Sequence, residues 1–345
     1  MIDDQLLNTI RVMPKIDLHR HLEGSLRLET LLAIAQEYEI SLPTFDVEGL
    51  RPFVQMTPGE PRSWQQFLGK FHMLRQFYRS EAIIKRVTRE VIADADADNV
   101  RYMELRFTPQ ALNNLVQCDF EDVVAWVCDA AADATASLDI DVTLILSMNR
   151  HESIEIGERV LQAAIDYADR GVVGLDLAGQ EAGHSALPFH DLFARAKSAG
   201  LGVTIHAGEW AGAESVREAV EVLEADRIGH GIRTIEDPAL CNLLQQRGTV
   251  LEVCPTSNVM SGAVENFDVH PLITLYKQGI RTTVNTDDPL VCDVTMSAEI
   301  AKVLRHTPLT LDDVKQHVMT AAQAAFLPQA RRAELIAQYE QWLYP

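Results

Sequence analysis

Residues 15–27, KIDLHRHLEGSLR, form a short apolar run that ends in two histidines one residue apart and then turns at Gly24. Side chains two positions apart on a strand point to the same face, so His19 and His21 can offer two imidazoles to one ion. Imidazole is a preferred ligand of zinc, and a catalytic zinc usually takes three protein ligands plus a water. The run therefore predicts a first strand at about 16–19 that carries part of a metal site. The alternative is a polar surface turn in which the histidines bind nothing.

Seven further apolar runs follow along the chain, and helix-like segments separate them. The runs lie at about 100–107, 141–147, 172–178, 202–207, 227–230, 249–254 and 281–286, and the helices between them at about 120–137, 153–169, 189–198, 214–223, 238–246 and 271–277. Strands that are apolar on both faces and alternate with helices indicate a parallel sheet, and eight such units indicate a closed barrel. We therefore expect an α/β fold, a (β/α)8 TIM-type barrel with extra helices, formed by residues 1–345 as one domain.

The composition limits the partners and compartments that suit the chain. It has 345 residues, of which 47% are hydrophobic, and its net charge of −20 would repel a nucleic-acid backbone. No run approaches the roughly 18 apolar residues of a membrane span, and residues 1–30 lack an apolar export segment. Five cysteines without a CxxC pair argue against a disulfide framework and a thiolate metal site. We expect a cytoplasmic protein that binds a small molecule, with no nucleic-acid or membrane partner.

A helical insertion at about 45–98 separates the first two predicted strands. Residues 45–61 contain three prolines and are expected to be irregular. Ser63 then caps a helix whose apolar residues occur at i, i+3, i+4 and i+7, namely Trp64, Phe67, Leu68 and Phe71. Another helix is expected at 81–97. Spacing alone favours an ordinary core stripe for the four apolar residues, and a lid over a pocket is the alternative.

Polar residues that can bind a metal or move a proton collect at the ends of the predicted strands. His206 ends strand five, with Glu209 three residues further on, and His230 ends strand six. Asp287 and Asp288 end strand eight. Barrel enzymes carry their active sites at the C-terminal ends of the strands, so these residues are predicted to meet His19 and His21 at one mouth.

Three of these histidines and one aspartate make a ligand set for a single zinc with room for a water: His19, His21, His206 and Asp287. A bound zinc lowers the pKa of its water to about 7, which makes a nucleophile available at neutral pH. A two-metal site typically has a bridging group on the fourth strand, often a modified lysine, and residues 172–178, VVGLDLA, contain no lysine. The sequence therefore predicts one zinc per subunit.

Further residues at this mouth are candidates for catalysis and substrate binding. Glu209 could be a proton donor whose pKa is raised by an enclosed setting. Neighbouring residues of an extended segment point to opposite sides, so Asp288 is free to contact substrate or water while Asp287 binds the metal. His230 could orient the nucleophile or accept its proton. Gly179, past the end of strand four, either lets a ligand approach the backbone or forms a simple turn.

The remaining polar candidates carry weaker expectations. Cys254 and Asn258, after strand seven, are expected to shape a loop. The other histidines are expected to lie on helices or loops away from the strand ends and to be structural or solvent-exposed: His72, His151, His184, His190, His270, His306 and His317.

Seven motifs together resemble, in family order and over nearly the whole chain, the adenosine deaminase group of the amidohydrolase superfamily. They read DLHRHLEGSLR, RYMELRFTPQ, GLDLAGQE, TIHAGE, RIGHG, LEVCPTSN and VNTDDP. The resemblance implies the zinc ligands already named. It also implies that Glu209 protonates N1 of a purine and that His230 and Asp288 position the attacking hydroxide. Asp288 is further implied to contact purine N7 and the Gly179 backbone to contact N3, and the stripe from Trp64 to Phe71 matches the family's apolar lid.

One residue departs from the family pattern. Adenosine deaminases commonly have HxHLDG, whose aspartate contacts the ribose 5′-hydroxyl, and this chain has Glu23 there. Glutamate is familiar at this position from adenine deaminases and from aminodeoxyfutalosine-type relatives. Arg106 in RFTP and the intact LDLAGQE resemble nucleoside-acting members instead.

The resemblance implies a zinc-dependent deaminase that converts adenosine, and 2′-deoxyadenosine, to inosine and ammonia. The nearest alternative keeps this chemistry and changes the substrate to adenine or to another 6-aminopurine nucleoside such as aminodeoxyfutalosine. A purine-binding relative without catalysis is expected to lack a metal ligand or Glu209, and both are present. A metallohydrolase of esters is expected to have two metals and no glutamate in the HAGE motif.

Overall fold

The computed structural model describes residues 4–345, and its centre is one sheet of eight parallel strands. The strands neighbour each other in chain order: β1 Lys15–His21, β2 Val100–Phe107, β3 Asp141–Asn149, β4 Val172–Ala178, β5 Gly202–Ala207, β6 Arg227–His230, β7 Val250–Val253 and β8 Arg281–Val284. The chain after β8 returns to β1, where the Asp287 N–H donates to the His19 carbonyl and the His21 N–H donates to the Asp287 carbonyl, both at 2.8 Å. The predicted (β/α)8 barrel is therefore confirmed.

Helices surround the barrel and fill the connections between its strands. Before β2 they are α1 Asp4–Val12, α2 Leu28–Glu37, α3 Val47–Val54, α4 Trp64–Leu74 and α5 Glu81–Ala97. Between β2 and β6 they are α6 Pro109–Val116, α7 Phe120–Thr135, α8 Ile154–Asp166, α9 His190–Ser198 and α10 Ala213–Glu221. After β6 they are α11 Pro238–Arg247, α12 Pro255–Met260, α13 Leu272–Lys277, α14 Pro289–Cys292, α15 Met296–His306, α16 Leu311–Ala324 and α17 Gln329–Leu343.

The predicted irregular segment at 45–61 contains a helix, α3, and this part of the prediction is wrong. The Asp46 side chain accepts a hydrogen bond from the Gly49 N–H at 2.8 Å and so caps the helix start. Leu50 and Val54 are buried beneath it. Pro52 lies inside the helix, where a proline normally costs a backbone hydrogen bond, and this suggested a break. Capping and burial therefore outweigh the proline over these eight residues.

The base of the barrel is closed by paired buried charges. Arg227, at the start of β6, donates from Nε to Glu252 at 2.5 Å and from Nη2 to Glu104. The backbone N–H of Phe326 donates to Glu104 at 2.6 Å, and the Phe326 ring centroid lies 3.5 Å from the Arg227 guanidinium carbon. The segment after α16 is thereby bound to Glu104 of β2 and Arg227 of β6. No helix within residues 4–345 is both long and apolar enough to cross a membrane.

Replacing Arg227 by methionine should lower the free energy of unfolding by about 3–5 kcal/mol, because Glu104 and Glu252 would be left buried without their cation. Urea denaturation measures the change. Arg195→Met is the matched control, since its pair with Glu158 has side chains 50% and 46% exposed and such pairs contribute about 1 kcal/mol or less. Equal losses in the two variants would contradict a stabilising role for the buried network.

Candidate active site

The four predicted metal ligands meet at the C-terminal mouth of the barrel. One ligand atom from each of His19, His21, His206 and Asp287 lies within 4.8 Å of the others. The Nε2 atoms of His19 and His21 are each 3.3 Å from the same Asp287 oxygen, and the Nε2 atoms of His21 and His206 are 3.2 Å apart. The His19 Nε2 is buried and makes no hydrogen bond. Buried nitrogens aimed at one carboxylate oxygen fit a single divalent metal, and nitrogen and oxygen donors suit zinc.

Two buried carboxylates orient two of these histidines. The Nδ1 of His19 lies 2.8 Å from Glu252 in β7, and the Nδ1 of His206 lies 2.9 Å from Asp176 in β4. Because a carboxylate only accepts hydrogen bonds, each Nδ1 carries the proton and each Nε2 lone pair faces the site. Neither carboxylate was predicted from the sequence to have a role. The available signal was one charged residue between apolar neighbours in a buried strand, LDL in β4 and LEV in β7.

Arg106, on β2, lies between these two carboxylates. Its Nη2 is 2.8 Å from Glu252 and its Nη1 is 3.5 Å from Asp176, and all three side chains are fully buried. Burial alone would raise the pKa of Asp176, but the Arg106 cation and the hydrogen bond from His206 outweigh it and lower that pKa. The pKa of Glu252 is lowered in the same way, by Arg106 and Arg227 against burial. Both carboxylates are thus held ionised beneath the histidines.

Backbone conformation aims two of the candidate residues. His230 and Asp287 have φ values of 61° and 62°, in the left-handed region that residues with a side chain seldom adopt. The turn at Asp287 means that the segment is not extended there. Asp287 and Asp288 consequently line the same cavity, contrary to the expectation that their side chains point apart. The Asp288 carboxylate packs directly against Gly24, where any side chain would overlap it.

Glu209 is held in place by the backbone that carries it. The Glu181 carboxylate accepts hydrogen bonds at 2.5–3.0 Å from the backbone N–H groups of four consecutive residues, 208–211. Glu209 itself is only 3% exposed. Burial, and after it the negative charges of Asp287 and Glu181, raise the pKa of Glu209 well above its usual range. Both effects favour the protonated form of this carboxyl group.

A chain of hydrogen bonds defines which nitrogen of His230 carries the proton. The Leu272 N–H donates to Nδ1 of His270 at 3.1 Å, so the proton of His270 is on Nε2, which lies 3.2 Å from the Asn258 oxygen. The Asn258 amide nitrogen then donates to Nδ1 of His230 at 3.0 Å. Burial holds the pKa of His230 well below its usual value, so the ring is neutral with its proton on Nε2. That nitrogen is 3.5 Å from Glu209.

A cavity of about 460 Å³ opens above the histidines. It is lined by all nine residues predicted for catalysis and substrate binding: Glu23, Trp64, Phe67, Leu68, Phe71, Gly179, Glu209, His230 and Asp288. Sequence reasoning missed other residues that also line it: His72, Arg75, Thr108, Asn149, His151 and Trp210. His151 was expected to lie away from the strand ends, but it follows β3 by two residues. The side chains of Asn149 and His151 pack close to Gly179, whose φ of 80° suits glycine.

Glu23 faces the cavity with half of its carboxylate unsatisfied. One oxygen accepts a hydrogen bond from the Thr108 N–H at 2.7 Å, and the other is buried without a partner. Burial raises the pKa of Glu23 to about 7. A ligand that donates a hydrogen bond is the missing partner that this arrangement calls for.

Known proteins resemble the chain over nearly its whole length. The family model described as adenosine deaminase matches residues 14–342. The adenosine deaminase of Erwinia tasmaniensis is 36% identical over 98% of this chain and 99% of its own. The solved adenine deaminase from Arthrobacter aurescens has a TM-score of 0.88 at 29% identity, covering 96% of this chain and 100% of its own. A Burkholderia ambifaria amidohydrolase solved with bound zinc shares the fold, with a TM-score of 0.88 at 24% identity over 99% and 95% of the two chains.

Asp176→Asn should weaken zinc binding by about 10- to 100-fold, because an amide no longer fixes the tautomer and direction of His206 as a carboxylate does. Competition with a chromophoric chelator measures the affinity. Ser147→Ala is the control, since Ser147 donates to the other Asp176 oxygen at 2.8 Å and its loss leaves the carboxylate in place. Wild-type affinity in Asp176→Asn would show that His206 does not depend on this carboxylate.

Proposed function

Because the chain belongs to the adenosine deaminase family, we propose that it catalyses the zinc-dependent hydrolysis of adenosine, and of 2′-deoxyadenosine, to inosine and ammonia. The family makes the chain a hydrolytic deaminase, an enzyme that replaces an amino group by oxygen from water. The observation that carries the proposal is the cluster of three histidines and Asp287 at the base of a cavity that is also lined by Glu209, whose pKa is raised.

One zinc ion would be held by the three histidines and Asp287. When bound, it supplies an activated water as the nucleophile. Within residues 4–345 one other group of possible ligands occurs, formed by His230, Cys254 and Asp287. This group needs His230 as a ligand, but Nδ1 of that ring accepts from Asn258 and Nε2 carries the proton, so neither nitrogen is free for a second ion. The geometry therefore supports a mononuclear site.

Glu209 is the proposed proton donor to purine N1. Addition of water at C6 of the purine moves the π electrons of the C6–N1 double bond onto N1. The addition is easier when N1 accepts a proton, because N1 then stays neutral. The raised pKa of Glu209 keeps a proton available, and its attachment to Glu181 through the backbone fixes its position. The C6–N bond then breaks, and the amino group leaves as ammonia with one proton of the attacking water. The other proton of that water replaces the one that Glu209 gave to N1, and a 6-oxopurine remains.

His230 and Asp288 are proposed to position the reactants. The neutral His230 carries its proton on Nε2, so this nitrogen can donate to the attacking oxygen but cannot accept its proton. Of the two roles considered for His230, the tautomer therefore supports orientation. One Asp288 oxygen is buried without a partner, and burial followed by the charge of Asp287 raises the pKa of Asp288. A protonated Asp288 would donate a hydrogen bond to purine N7, and the Gly179 backbone would contact N3.

The apolar stripe of α4 is proposed as a lid over the bound purine. All four of its residues line the cavity, and they are contributed by a helix that lies between β1 and β2. Phe67 is 2% exposed and also joins the hydrophobic core, so the core and lid interpretations both describe it. We propose that the chain forms one domain in which about 45–98 are the inserted lid.

The proposed setting of the reaction is the cytoplasm, with a small purine as the partner. All five cysteines are free and four of them are buried, which suits a reducing compartment. The product of the reaction would feed into purine metabolism.

Adenine is the second candidate substrate. It is favoured by Glu23, which replaces the aspartate common in adenosine deaminases, and by the likeness to the Arthrobacter aurescens adenine deaminase. The ratio of kcat/KM for adenosine to that for adenine separates the two candidates: a ratio above one supports the nucleoside, and a ratio below one the free base.

Glu209→Gln should retain metal and lower kcat on adenosine by roughly 10²- to 10⁴-fold, because an amide can hydrogen-bond to N1 but cannot protonate it. Ammonia release gives the rate and elemental analysis gives the metal content. Glu155→Gln makes the same chemical change at an exposed site on α8 and should leave both unchanged. A Glu209→Gln variant with near wild-type kcat would remove Glu209 as the proton donor.

A further inference from the structure

Arg75 is a cationic residue of the cavity that has no role in the proposed deamination. It follows the last residue of α4 and lines the same cavity as the metal ligands. Within residues 4–345 its guanidinium makes no hydrogen bond and no ion pair, and its Nε is buried without a partner. A half-buried guanidinium with five unpaired N–H donors is a strong potential binder of an acceptor group.

Other arginines of this acidic chain have ion-pair or hydrogen-bond partners within the protein. The chain has 50 acidic against 30 basic residues, and even Arg27, whose side chain is 40% exposed, holds Asp94 at 2.6 Å. Arg150, which is buried near the site, donates to two backbone carbonyls, those of His184 and His206. Arg75 lacks both kinds of partner and points into a cavity large enough for a ligand. Its missing acceptor is therefore expected to come from the ligand.

The place of Arg75 in the cavity suggests which part of the ligand it meets. The α4 face runs from Trp64, whose ring lies 6.3 Å from that of Trp210 beside Glu209, to Arg75, eleven positions and about 16 Å further along. At this second end, the Arg75 charge acts on both Glu23 and His151. The Trp64 end is next to the proposed N1 proton donor. The Arg75 end is then next to the sugar, which leaves the purine through N9.

Glu23 and Arg75 require two different groups on this part of the ligand, a hydrogen-bond donor and a hydrogen-bond acceptor. They do not form an ion pair with each other, and the free Glu23 oxygen needs a hydrogen-bond donor. A sugar hydroxyl meets that need. Arg75 needs an acceptor, and an anionic oxygen satisfies a guanidinium better than a neutral one does. One ligand that carries a hydroxyl and an anionic group would satisfy both residues.

We propose that Arg75 is a specificity-determining residue that binds an anionic group on the sugar side of the substrate. The preferred substrate is then a 6-aminopurine nucleoside that carries a phosphate or a carboxylate beyond its sugar hydroxyls. This inference rests on the deamination chemistry of the proposed function and adds an anionic group to its nucleoside substrate.

The test compares kcat/KM for adenosine, adenosine 5′-monophosphate and the 5′-carboxylate of adenosine in wild type, Arg75→Met and Arg75→Lys. Wild type should use one of the two anionic substrates better than adenosine, and the better one identifies the anion. In Arg75→Met, kcat/KM for that substrate should fall by about 10- to 100-fold, chiefly through a higher KM. The fall in kcat/KM for adenosine should be several-fold smaller. Arg75→Lys should recover part of the loss because it keeps the charge.

Arg79→Met is the matched control. Arg79 is exposed four residues further on and donates to the Gln76 carbonyl at 2.8 Å, so its loss should alter none of the three rates. Wild type that prefers adenosine to both anions would overturn the inference and leave the proposed function standing. Equal losses on adenosine and on the anionic substrates in Arg75→Met would also overturn it. If wild type deaminates none of the three, the proposed function fails together with the inference.

Discussion

The site depends on the way the barrel buries charge. Asp176 and Glu252 lie at zero exposure in the sheet, where isolated carboxylates would cost several kcal/mol each. They are tolerated because Arg106 touches both and because each accepts a hydrogen bond from a histidine. The same contacts set the tautomers of His19 and His206. The energetic need to pair buried charges and the geometric need to aim two imidazoles are therefore met by one network.

The network extends from the mouth of the barrel to its base. Glu252 takes one cation from each side, Arg106 towards the histidines and Arg227 towards the segment that closes the base. The left-handed backbone at His230 and Asp287 costs free energy, and a rigid surrounding structure is needed to maintain it.

Much of the fold and of the metal site could be predicted from the sequence, because the strand ends of a barrel lie at one mouth. β2, β4, β5 and β6 have the predicted bounds, and His19, His21, His206 and Asp287 meet as expected.

Pairing across the interior could not be predicted, since His19 and Glu252 are 233 residues apart and an inward-facing position does not identify its partner. Arg106 was interpreted as a marker of nucleoside-acting relatives, and the structure places it beneath the histidines. The joint exposure of Asp287 and Asp288 to the cavity depends on a left-handed turn that aspartate adopts only rarely. The short helices α6, α12 and α14 have too few turns for a periodic pattern, although each begins with proline.

The central claim is that one metal held by three histidines and Asp287 serves hydrolytic deamination. Titrating chelator-treated protein with zinc while recording ammonia release from adenosine tests it most directly. The account predicts almost no release without metal, a linear rise with added zinc, and a break at one equivalent per chain. A break at two equivalents, undiminished release from metal-free protein, or no release from the zinc-loaded protein would contradict it.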